Sequence, residues 1–88
     1  MRIKTIKVSP RFERRYSRLL KRTKQQAQEK ERIFRENPFH AILRTHKLSG
    51  KDKDAWAFSV NYDYRIKFVF INNWEVLFLD IGTHEIYE

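Results

Sequence analysis

The chain has no cysteine in its 88 residues, so neither disulfides nor a thiolate metal site can support it. It has only two glycines and two prolines, and no Pro/Gly/Ser-rich stretch divides it. With no internal repeat either, residues 1–88 are expected to form a single small domain. No apolar run reaches membrane-spanning length. The basic start lacks the apolar segment of a signal peptide, so the expected location is the cytoplasm. The three histidines, His40, His46 and His84, have no close ligand spacing, and no metal site is expected. A Gly-rich phosphate loop and a nucleophile elbow are also missing.

Basic charge is abundant, and it is unevenly placed. Residues 1–51 carry 16 Lys and Arg against 4 Asp and Glu, whereas residues 52–88 carry 3 against 7. A basic face of that density favours a polyanionic partner, most simply nucleic acid. The alternative is a solvated helix surface with no partner.

Ile3 to Val8 reads as a strand. Ser9-Pro10 then marks a helix start, with Ser9 as N-cap and Pro10 at the first helical position, where its missing N–H is harmless. The helix is expected to run to about Thr23, with Phe12, Tyr16, Leu19, Leu20 and Thr23 on its apolar face. Arg11, Arg14, Arg15, Arg18, Lys21 and Arg22 cover the remainder. A second helical segment is expected from about Gln25 to Glu36, burying Ala27, Ile33 and Phe34. One long bent helix is the alternative, because neither Gly nor Pro marks the joint near Lys24. Asn37-Pro38 ends the helical region. A short extended piece follows at Thr45–Leu48, then a polar turn, Ser49-Gly50 with KDKD, expected to be mobile.

Trp56 to Ile81 is the sheet. A two-residue turn at Asn72-Asn73, where Asn tolerates the positive φ that such a turn needs, would pair Ile71 with Trp74, Phe68 with Leu77, Ile66 with Leu79 and Arg65 with Asp80. A three-residue loop, Asn61 to Asp63, would pair Val60 with Tyr64, Phe58 with Ile66 and Trp56 with Phe68. Together these registers put Trp56, Phe58, Val60, Tyr64, Ile66, Phe68, Leu77 and Leu79 on the core face. The other face would carry the rows Ser59–Arg65–Asp80 and Ala57–Lys67–Phe78.

Arg65 can grip a phosphate through two parallel N–H···O bonds, or pair across the strands with Asp80; the two are compatible. His84 follows Gly82-Thr83 and can exchange a proton near neutral pH. Lys47 and Lys67 add positive charge on the sheet side, Arg11, Arg15 and Arg18 on the helix. Tyr87 is placed to stack a base.

The order of these pieces resembles the RelE/ParE toxin superfamily, and within it the YafQ-type and RelE/StbE-type toxins of type II toxin–antitoxin modules. NPFH, LRTHKLSG, the run WAFSVNYDYRI and LDIGTH carry the resemblance, which covers essentially the whole chain. It implies a small α+β RelE-like fold: an N-terminal strand, a basic helical hairpin and an antiparallel sheet (β-α-α-β-β-β) packed on the helices. The implied activity is metal-independent cleavage of mRNA in the ribosomal A site, by attack of a ribose 2′-OH on the adjacent phosphate. By motif, His84 matches the catalytic histidine, His46 a second active-site histidine, Asp63 an acidic residue and Arg65 the phosphate-stabilising arginine. Lys47, Lys67, Tyr87, Arg11, Arg15 and Arg18 would bind substrate. The partners implied are a cognate antitoxin protein, mRNA and the 70S ribosome, with no membrane and no cofactor.

The pattern also departs from those relatives. Ser59 stands where the YafQ-type branch has a further histidine. Tyr87 lies three residues after His84 where many relatives place it at four. The glutamate base of the YoeB-type branch has no counterpart around Ala41–Leu43, which leaves the general base open. The superfamily also holds ParE-type toxins that poison DNA gyrase by protein binding. His46, Asp63, Arg65 and His84 together argue against that alternative.

Overall fold

The computed structural model describes residues 1–50 and 54–87. Their elements run β1 (Thr5–Val8), α1 (Pro10–Ser17), α2 (Lys21–Glu36), β2 (His46–Lys47), β3 (Trp56–Ser59), β4 (Arg65–Asn72) and β5 (Glu75–Gly82). Short 3-10 turns form at Ala41–Leu43 and His84–Tyr87. The five strands make one sheet in the order β1-β5-β4-β3-β2. The α+β architecture is the expected one. The sheet is mixed, however, because β1 pairs parallel to β5 while every other pair is antiparallel. Among the described residues no helix is long and apolar enough to cross a membrane. The expected mobile turn falls largely on residues 51–53, outside the described residues.

Ser9 caps α1 as its sequence dictates, its side chain accepting a hydrogen bond from Phe12 N at 3.0 Å. The same hydroxyl donates to Leu79 O at 2.7 Å, which fastens the start of α1 to β5. The helix ends at Ser17, well before Thr23, and the joint is Arg18–Leu20 rather than Lys24. Leu20 has extended backbone and is 78% exposed, so it leaves the apolar face assigned to it. The reason is tertiary. Phe12 on one face of α1 packs on Phe78 of β5, and Phe34 on one face of α2 packs on Phe58, Phe68 and the same Phe78. One continuous helix cannot present both faces, and the fold-back is closed by Tyr16, whose hydroxyl meets Lys24 O and Gln28 Nε2.

The β3–β4 register is as expected: Trp56 with Phe68, Phe58 with Ile66, and Val60 N donating to Tyr64 O. The β4–β5 register is not. Asn72 faces Glu75, so the turn residues are Asn73 and Trp74. Neither has positive φ; Arg44 is the one non-glycine among the described residues that does. Asn72 acts instead through its side chain, accepting from Trp74 N at 3.0 Å. Two bulges follow, at Ile71 of β4 and Leu79 of β5, leaving Phe68 opposite Phe78, Ile66 opposite Ile81 and Arg65 opposite Gly82. A one-residue slip exchanges the faces of a strand. The β5 residues in the core are therefore Val76, Phe78 and Ile81, and Leu77 and Leu79 are not.

Phe34 centres this core. It is fully buried, with ring centroids 4.7 Å from Phe58, 4.9 Å from Phe68 and 5.6 Å from Phe78. Phe34→Ala is expected to cost about 3–5 kcal/mol. Chemical denaturation checks this: the midpoint should fall while the slope m stays unchanged.

Candidate functional site

The β3–β4 loop is rigidly built from its own residues. Asn61 Oδ1 accepts from Asp63 N at 2.9 Å and Tyr64 N at 2.7 Å, a side-chain mimic of a turn. From α2, Gln26 accepts from Asn61 Nδ2 at 2.8 Å and Lys30 Nζ donates to Val60 O at 3.2 Å. Arg65 closes the loop from the other side. Its Nη1 donates to the carbonyls of Asn61 (2.8 Å), Tyr62 (3.1 Å) and Tyr64 (3.1 Å). That leaves its Nε–Nη2 edge without a partner among the described residues. Such an edge is the fork that matches two phosphate oxygens.

The expected Arg65–Asp80 pair does not form. The turn at Asn73-Trp74 already shifts β5 out of the expected register, the bulge at Leu79 then sets Asp80 opposite Lys67, and the Asp80 carboxylate meets α1. There its buried carboxylate meets Arg11 Nε at 3.3 Å and Arg15 Nε at 3.5 Å. Arg11 and Arg15, assigned to substrate by sequence, thus engage acids of the fold. Arg18 lies beside Arg15 at a shallow cavity lined also by Tyr64, Gly82 and Glu85. Lys67 stands on β4 between Ala57 and Asp80.

The remaining candidates converge. Tyr62, Asp63, Arg65, Thr83, His84 and Tyr87 line one open cavity of about 300 Å³. Tyr87 also borders a second of about 300 Å³, with His46, Lys47, Leu48 and Ser49. The His46 and Tyr87 rings lie 6.0 Å apart. His46, Lys47, Asp63, Arg65, His84 and Tyr87 therefore share one side of the molecule, at the ends of β2, β4 and β5. His46 Nδ1 is 3.1 Å from Arg44 O. A carbonyl can only accept, so Nδ1 carries the proton and Nε2 of the neutral ring is an acceptor. The sequence reading missed Thr83 as a site residue and gave Tyr62 too little weight. Their positions beside Arg65 and His84 were the available signal.

The His84 turn is held by its neighbours. Glu85 accepts from the Thr83 hydroxyl and, at 3.2 Å, from Thr83 N, and meets Arg15 Nη1 at 3.5 Å. The Thr83 hydroxyl bond first, then the residue's own amide, hold its carboxyl below the ordinary value of 4.5, with Arg15 adding to the same direction. A carboxylate depressed in the fold stabilises it above the ordinary value and loses that contribution as pH falls. Amide exchange at Thr83 should therefore accelerate, relative to the core strands, as pH falls below about 4.5. Gly82 is fixed by space rather than by φ: a Cβ there would sit 2.6 Å from Glu85 Oε1 and 2.8 Å from Ile86 Cγ2. Gly82→Ala should displace the turn, shift the His84 ring signals in NMR spectra and lower stability by about 1–3 kcal/mol.

No protein-family model and no curated protein matches the sequence. Solved structures do match. The YoeB/ParE toxin from Agrobacterium tumefaciens aligns with a TM-score of 0.78 at 13% identity, over 92% of this chain and 99% of that one. The archaeal RelE-RelB complex from Pyrococcus horikoshii aligns with a TM-score of 0.72 at 17% identity, over 94% and 96%. The toxin of the E. coli DinJ-YafQ toxin-antitoxin complex aligns with a TM-score of 0.71 at 19% identity, over 98% and 97%. Over more than nine-tenths of its length, this chain has the fold shared by these YoeB/ParE, RelE and YafQ toxin structures.

Proposed function

We propose that the protein is the toxin of a type II toxin–antitoxin pair and an endoribonuclease that cuts mRNA in the ribosomal A site. The observation that carries this reading is the convergence of His84, Arg65, Asp63 and Tyr87 on one cavity, with His46 across the Tyr87 ring. In this reading a base takes the proton of the ribose 2′-OH, whose oxygen attacks the neighbouring phosphorus. The bond from phosphorus to the 5′ oxygen breaks, His84 protonates that oxygen, and the products are a cyclic phosphate and a free 5′-OH. His46 Nε2 suits the base by its tautomer, and Asp63 is the other acceptor at hand. The free edge of Arg65 faces charge that grows on the phosphate oxygens. None of these steps calls for a metal ion. The toxin-antitoxin complexes among the structural neighbours support an antitoxin partner. The cytoplasm, where ribosomes and mRNA meet, is the compartment the reading requires.

His84→Ala should slow cleavage about 10²–10⁴-fold and relieve growth arrest, with the melting transition unchanged. Arg65→Lys keeps a cation and a donor for the loop carbonyls but loses the fork, and is expected to slow cleavage about 10²-fold or more. Mapping the 5′ ends of cellular mRNA after induction gives the readout. Full toxicity in both variants, without new cuts inside translated codons, would sink the assignment.

A further inference from the structure

A third cavity of about 300 Å³ lies on the other side of Arg65. Lys30, Arg44, Ser59, Tyr62 and Arg65 are among its walls, and no acidic side chain of the described residues is. Tyr62 and Arg65 line this cavity and the His84 cavity alike. Tyr87 in turn joins the His84 cavity to the one bearing His46 and Lys47. The three hollows thus abut in series, with His84 in the middle one.

Two further observations point to a ligand. Arg44 is held at φ 51°, ψ 40°, a left-handed conformation that costs a non-glycine residue on the order of 1 kcal/mol and recurs where function demands it. This turn brings the chain from the Ala41–Leu43 turn into β2 and sets the Arg44 side chain, which has no partner among the described residues, at the cavity. Tyr62 is 88% exposed, a large ring given to solvent on the wall shared by this hollow and the His84 cavity. Cations that track a backbone, interleaved with an exposed ring, are the components of a single-stranded nucleic-acid groove.

We propose that the Lys30–Arg44–Arg65 hollow is a phosphate subsite for the nucleotide next to the scissile bond of a single-stranded RNA, with Tyr62 as its stacking platform. The subsite rests on the nuclease reading above and extends it. The strand runs through all three hollows, with the scissile phosphate at Arg65 and His84 and flanking phosphates at Arg44 and Lys30 on one side and Lys47 on the other. An acidic protein segment could meet the same cations, but the exposed ring and the continuity with the His84 cavity favour RNA.

The test is equilibrium binding of a fluorescent 12-nucleotide oligouridylate to the whole protein over a range of salt, with a 12-residue oligoglutamate as the competing probe. Arg44→Gln should weaken RNA binding about three- to ten-fold near 0.1 M salt and reduce the slope of log K against log salt by about 0.7. Tyr62→Ala should weaken it about five-fold or more with the slope unchanged. Lys30→Gln should act as Arg44→Gln does; if losing the Val60 contact unfolds it, the Arg44 and Tyr62 variants decide alone. Unchanged RNA affinity and slope in both, beside a wild type that binds, overturns the subsite and leaves the nuclease reading standing. Weakened oligoglutamate binding with RNA binding intact overturns it in favour of a protein partner. A wild type that binds no RNA even at low salt overturns the subsite, whereas the nuclease reading is decided separately by the mapped cuts in mRNA.

Discussion

The carboxylate of Asp80 is the point on which the arrangement of helix, sheet and candidate site depends. It is almost fully buried, and it is answered by Arg11 and Arg15 of α1 and by the Ile81 amide at 2.8 Å. A buried carboxylate with its partners removed is costly, of the order of 3–5 kcal/mol. The bulge at Leu79 sets Asp80 opposite Lys67, and Ser9 fastens α1 beside it by donating to the Leu79 carbonyl while capping the helix. Phe78 before this bulge and Ile81 after it both enter the core.

The same irregularity sets the candidate site. Past the bulge, Arg65 stands opposite Gly82, two residues before His84. Unpaired with Asp80, Arg65 spends one nitrogen on the β3–β4 loop carbonyls, and its Nε–Nη2 edge has no partner among the described residues. Arg15 spans the two regions, touching Asp80 at the core and Glu85 in the turn that carries His84. The Asp80 contact and the turn that carries His84 thus share one side chain of α1.

Much of the basic charge so evident in the composition serves the fold. Arg11 and Arg15 answer Asp80, Arg35 pairs with Glu31, and Lys30 holds the Val60 carbonyl. The cations nearest the candidate site come from scattered places, α2, the Arg44 turn, β2 and β4, rather than from one dense run. A charge count along the chain weighs all of them alike.

Local chemistry settled a good part of this protein from its sequence. Ser9-Pro10 starts α1, Asn37-Pro38 ends α2, Asn61 shapes the β3–β4 loop, and alternation gives the β3 and β4 faces; each signal lies within a few residues of its effect. The LRTHKLSG, YDYRI and IGTH stretches singled out His46, Asp63, Arg65 and His84 by resemblance, and the fold brings them to one side of the molecule. Only the tertiary structure decided the joint at Arg18–Leu20, the bulges at Ile71 and Leu79, and the left-handed Arg44. The joint and the Leu79 bulge lie beside contacts with residues far along the chain: Phe12 of α1 and Phe34 of α2 must both meet Phe78, and Asp80 must meet Arg11 and Arg15. No window of local sequence contains both halves of such a contact, so the pairing of Arg65 with Asp80 that alternation suggested gave way to one that only packing could specify.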